Sequence, residues 1–128
     1  VIGIDSYRKN AVTLASPAQL VMMLYETALR RLAKVEAALD GGPPTDVIAD
    51  LHRVREIVIE LSSALDPTSA PELCKKLGPL YEWMLSECVA AGRDKDVAKV
   101  RAVQDALLPI AEGWRAILED DLRRAVGQ

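Results

Sequence analysis

Imidazole and thiol chemistry rests on three residues of this 128-residue chain: His52, Cys74 and Cys88. The residues around them do not complete a metal site. A helical scaffold that holds bridged metals supplies Glu-x-x-His pairs from facing helices, and the position three before His52 is Ala49. A zinc site from His52, Cys74 and Cys88 would need a fourth ligand and contributions from different helices, which the spacing does not offer. The two cysteines stand 14 positions apart in what reads as one helix, hence about 21 Å apart, too far for a bridge. They read as two buried thiols in a reducing cytoplasm, and His52 reads as exposed beside Arg53. No G-x-S-x-G, P-loop or dinucleotide fingerprint is present. The expectation is a protein with no catalytic residue, no metal and no cofactor, and not an enzyme.

The elements that would position any site are helical. Ser16, Pro17 and Gln19 form a helix start with a capping box, and Leu20 to Tyr25 then run apolar without a break. That run points all the way around a helix of 3.6 residues per turn. Gly41, Gly42, Pro43 and Pro44 end the helix, and Thr45 is the next cap. Val47, Leu51, Val54, Val58, Leu61 and Leu65 then repeat at spacings of four and three, a bundle seam. Ile48, Ile57 and Ile59 lie off it as a partial second face. Ser69 with Glu72 repeats the capping-box spacing before a third helix with the seam Leu73, Leu77, Leu80, Met84 and Cys88. Gly78-Pro79 should kink or break this helix, and Gly92 should close it. Val100, Val103, Leu107, Ile110, Trp114 and Ile117 line a fourth helix, bent at Pro109 and Gly113 and fraying beyond Asp121.

The expected architecture is all-α: an antiparallel up-and-down four-helix bundle over 16–128, with helices at about 17–39, 46–65, 70–91 and 95–122, preceded by an N-terminal arm over 1–15. Composition agrees with a globular domain: half the residues are hydrophobic and 27% are charged. A net charge of −3 argues against nucleic acid as the partner, and Arg30, Arg31 and Lys34 read as a solvated helix face. No apolar run reaches the roughly 20 residues of a membrane span, and the opening residues do not read as a secretory signal. The residues carry more apolar surface than four single stripes need. The surplus either thickens the core or is covered by an arm, a partner or a second copy.

The order of certain residues resembles a known family. Tyr7, Asn10 and Val12, then Ala15-Ser16-Pro17 with Leu20 and Met23-Leu24-Tyr25, look like the opening signature of the flagellin export chaperones, the FliS family. Leu61-Ser62 with Leu65-Asp66, Leu80-Tyr81 with Met84-Leu85, and Trp114 continue the likeness over essentially the whole chain. The departures are Glu26-Thr27 where the family commonly has Asp-Gly, Ala70-Pro71 where it has Gly-Gly, and Gly78-Pro79.

The resemblance implies a cytoplasmic chaperone that binds the C-terminal segment of new flagellin, keeps it from polymerising early and delivers it to a flagellar export gate component. It implies that Val21, Met22, Tyr25, Leu65 and Tyr81 form the groove or rim for this client, although each equally fits a core residue. Ile4 and Tyr7 match the family's N-terminal pair, which covers the empty groove and contributes to docking at the gate. Asn10 reads as a local cap or turn former within that arm. Two other readings stay open: a bundle for another client, such as an anti-sigma factor or an export component, and a self-associating bundle in which a homodimer pairs the apolar stripes.

Overall fold

The computed structural model describes residues 17–127. The arm with Ile4, Tyr7 and Asn10, and the capping box that begins at Ser16, lie outside the described residues. Four helices follow in order: α1, Pro17–Leu39; α2, Val47–Ser63; α3, Pro71–Asp94; and α4, Val97–Val126. Each helix packs on its neighbour in sequence, and α1 also packs on α4, which closes the ring. Short connections between successive helices make this an antiparallel up-and-down bundle, the expected fold class.

Helix ends follow from local chemistry. Gly41 takes a positive φ of 83° after α1, the left-handed region that costs a glycine little. Asp46, rather than Thr45, caps α2 by accepting from the Ala49 amide at 3.0 Å. Asp96 caps α4 in the same way through the Ala98 amide. The Ser69 capping box does not form. The Ser69 hydroxyl donates to Asp66 instead, and α3 starts after Ala70 with Pro71 in its first turn. Gly92 does not end α3 either: the helix passes through it and stops at Lys95, which takes the left-handed cap with φ 52°. Both α3 and α4 continue through their prolines, and α4 runs to Val126. Pro79 and Pro109 are exposed, so the carbonyls they leave unbonded face water, where the loss is small.

The core lies along the bundle axis. Leu32, Val35, Val54, Ile57, Val58, Met84, Val100, Val103 and Leu107 are fully buried, each contributing about 1.5–3 kcal/mol of apolar burial. Three seams differ from the expected ones. Ile57 belongs to the core, whereas Ile48 and Ile59 are exposed. On α3 the buried line is Tyr81, Met84, Cys88 and Ala91, with Leu73 at the surface. On α4 the line shifts by one residue to Ala111, which leaves Ile117 exposed. These shifts have one cause: in a row of adjacent apolar residues, spacings of three and four fit two neighbouring stripes equally well, and packing against the facing helices selects one.

Charged contacts clasp the end of the bundle where α1 meets α2. Asp50 is buried, and its carboxylate accepts from Arg31 at 2.7 Å and from the Thr45 hydroxyl. Arg31 is therefore an internal partner rather than part of a solvated basic face. Burial pushes the Asp50 carboxyl up, but the Thr45 and Arg31 hydrogen bonds outweigh it and hold the group below its ordinary range. Nearby, Arg101 of α4 bridges to Glu36 at 2.8 Å and to Asp40.

Candidate protein-binding groove

At the opposite end of the bundle the four helices do not finish together. At 1.5 Å per residue, the 17 residues of α2 span about 26 Å and the 30 residues of α4 about 45 Å. Helix α2 stops at Ser63, and the chain turns through Asp66, Pro67, Thr68 and Ser69 before α3 begins. The turn is held by Asp66, whose carboxylate accepts from the Ser69 hydroxyl and from the Thr68 amide at 2.9 Å. The Ser69 bond is the largest influence that lowers its pKa. With that carboxylate engaged in the turn, the space beside it is left to apolar side chains.

The result is a groove of about 330 Å³. Helix α1 contributes Pro17, Ala18, Val21 and Tyr25. The end of α2 and the turn contribute Leu61, Ala64, Leu65, Asp66 and Ala70, α3 contributes Leu73, Leu77 and Tyr81, and α4 contributes Trp114. Apolar side chains dominate the walls, and Leu73 on the rim is 44% exposed. Past the groove, α4 continues with Ile117, Leu122 and Val126 exposed. This apolar surface is what the sequence left unassigned.

Of the residues that the resemblance pointed to, the structure brings four together in this groove: Val21, Tyr25, Leu65 and Tyr81. Met22 is not among them. It is 5% exposed and packs into the core, because its neighbour Val21 occupies the groove-facing position on α1. Ala64, Leu73, Leu77 and Trp114 also line the groove. The signal that could have found them is the Asp66 to Ser69 turn: it ends α2 early and leaves the first turns of α3 without their partner.

A polar cluster lies within these walls. The Tyr25 and Tyr81 hydroxyls are 2.6 Å apart and share a hydrogen bond. Each tyrosine is 1% exposed. Burial is the largest cause that raises both phenol pKa values, so both stay protonated well above neutral pH. The pair ties α1 to α3 beneath the open end.

The residues first considered for metal chemistry are scattered. His52 is exposed and faces Glu56 at 3.9 Å. Cys88 is buried and burial pushes its thiol up to about 11, whereas Cys74 is only half-buried, which corrects the expectation of two buried thiols. Among the described residues no group of His, Cys, Asp and Glu gathers to hold a metal ion, and no helix is long and apolar enough to cross a membrane.

The architecture is a four-helix bundle with an apolar groove at one end. Comparison with known proteins gives the class its particular form. The family model described as "Flagellar protein FliS" matches residues 3–121, so the chain belongs to the FliS family. The chain is 31% identical over 123 residues to the flagellar secretion chaperone FliS of Salmonella typhimurium, covering 90% of this chain and 89% of that one. It is 29% identical over 103 residues to the flagellar secretion chaperone FliSB of Pseudomonas aeruginosa, covering 80% and 82%. It is 22% identical over 116 residues to the Bacillus subtilis flagellar secretion chaperone FliS, covering 91% and 86%. The family is one of flagellar secretion chaperones, not of enzymes.

Proposed function

We propose that this chain is a cytoplasmic chaperone that receives the C-terminal segment of newly made flagellin in the groove between α1, the end of α2 and α3. It holds that segment from polymerising and presents it to a component of the flagellar export gate. The observation that carries the reading is the groove itself: Val21, Leu61, Leu65, Leu73 and Leu77 converge where α2 stops, on a chain of the FliS family. A client segment that is disordered when free and folds on binding suits such a surface, because apolar burial offsets its ordering entropy. Val21, Tyr25, Leu65 and Tyr81 are proposed as client contacts. Ile4 and Tyr7, with Asn10 shaping the arm between them and α1, are proposed to cover the empty groove and to dock at the gate.

The test is a polymerisation assay. An equimolar amount of this chain is expected to hold cognate flagellin in the monomeric state, and flagellin truncated at its C-terminus is expected not to bind. Equal binding of the truncated flagellin would place the client contact elsewhere on the flagellin chain. Undiminished polymerisation, with the chain running as a stable dimer by light scattering, would replace this reading by the self-associating bundle.

A further inference from the structure

We propose that the outer face of α2 and α3, at the end of the bundle away from the groove, is a second docking site whose occupant is an amphipathic helix of another protein, setting a Glu or Asp carboxylate on Arg55. The proposal does not rest on the flagellin reading.

The face is a furrow of about 280 Å³, to which α2 contributes Ile48, Leu51 and Arg55, and α3 contributes Val89, Gly92 and Arg93. It shares no residue with the first groove. Leu51 here and Leu61 there are separated on α2 by about 15 Å along the helix axis. Leu51 is buried and belongs to the floor, whereas Ile48 is 65% and Val89 47% exposed. Gly92 brings the two helices close, since a Cβ there would stand 3.2 Å from both Ile48 and Leu51. An apolar furrow between two packed helices accepts the apolar stripe of a third.

Charge selects which helix that is. The chain carries a net charge of −3, yet the furrow is lined by His52, Arg55 and Arg93 and by no carboxylate. His52 faces Glu56 at 3.9 Å, and Arg93 donates to its neighbour Asp94 at 2.9 and 3.0 Å. Arg55 has no such partner. Among the described residues no hydrogen bond or ion pair reaches its guanidinium, and its Nε is shut off from water. Part of the desolvation cost of an ion pair is therefore already met in the free chain, and an incoming carboxylate gains more than it would at a solvated arginine. A second copy docking through the same face would bring its own basic residues against these, which like-charge repulsion opposes.

Fluorescence anisotropy with synthetic helical peptides tests this. The peptides share one apolar face and differ at a single flanking position, which is Glu, Gln or Lys. The wild type is expected to bind the Glu peptide about 10-fold more tightly than the Gln peptide, the worth of a hydrogen bond between charged groups, and the Lys peptide least. Arg55→Gln should erase that preference, and Arg55→Glu should turn it toward Lys. Val89→Asp, at an exposed position, should weaken all the peptides, and a saturating flagellin C-terminal peptide should leave their affinities unchanged. Because no bond of the described chain reaches Arg55, its variants are expected to keep the wild-type Tm. Should one fail to fold, the peptide series on the wild type and Val89→Asp decides. No binding, or equal binding of the Glu and Gln peptides, overturns the proposal. Displacement by the flagellin peptide, or a wild-type dimer that Val89→Asp dissociates, gives the face to the groove's client or to a second copy and overturns it as well.

Discussion

Replacing Asp50 by Asn isolates what the buried carboxylate contributes, at the end of the bundle away from the groove. Its two oxygens accept from Arg31 at 2.7 Å and from Thr45, with Lys34 at 4.0 Å. A hydrogen bond to a charged group is worth roughly 1.5–3 kcal/mol. The Arg31 side chain is 40% exposed, so solvent screening reduces its share, and Asn keeps one acceptor oxygen. The expected net loss is about 2 kcal/mol at pH 7, which for a chain of this size lowers Tm by about 6 to 10 °C. The pH dependence has a definite sign. A carboxylate held below its ordinary pKa of 3.8 in the folded state stabilises fully above that value, and the contribution is lost as pH falls through the lower, folded-state pKa. Urea unfolding of both proteins between neutral and strongly acid pH should therefore show a gap that is constant near neutrality and closes in acid. A gap that persists unchanged below pH 3.8, or no gap at pH 7, would refute the account of Asp50 as an ionised, internally bonded group.

Three further outcomes are expected. Lys95→Gly relieves the left-handed strain at the end of α3 and should raise stability by about 0.5–1 kcal/mol, read as a higher urea midpoint with unchanged slope. A disulfide reagent at mildly alkaline pH should label Cys74 first. Cys88, buried and with its thiol near 11, should react only on unfolding. Leu73→Asp and Ala64→Asp change residues that are exposed in the free chain and should leave Tm within about 2 °C of wild type, while each weakens the flagellin peptide more than about 10-fold by burying a charge in the complex.

The fold was legible because its signals are local and redundant. Gly41 and Gly42 with two prolines end α1 unambiguously, and the row from Val47 to Leu61 reads as helix and not strand, although its periodicity left Ile57 off the stripe that packing buries. Where signals competed, packing decided. Ser69 had both a cap and Asp66 within reach, and the turn took its hydroxyl. Gly92 could have stopped α3, yet the helix runs on to Asp94, and Gly92 lies close against Ile48 and Leu51, where an added Cβ would stand 3.2 Å from both.

The groove was half legible. Val21, Tyr25, Leu65 and Tyr81 could be carried over by family likeness, but Met22 looks no different from Val21 in an unbroken apolar run. Only the rotation of α1 against α2 and α4 separates core from wall. Leu77 and Trp114 join the groove because α2 is short, a consequence of tertiary length matching that no periodicity expresses. The bond between Tyr25 and Tyr81 spans 56 positions and has no local sign at all.

The central claim is that the surface exposed where α2 ends holds an unfolded client. Its most direct measurement is calorimetry of the cognate flagellin C-terminal peptide against the wild type and Leu73→Asp over a range of temperatures. The account predicts a micromolar or tighter complex for the wild type, with the negative heat-capacity change of apolar burial, and a much weaker one for Leu73→Asp. Equal affinity of the two proteins, or no heat of binding to a correctly folded wild type, would contradict it.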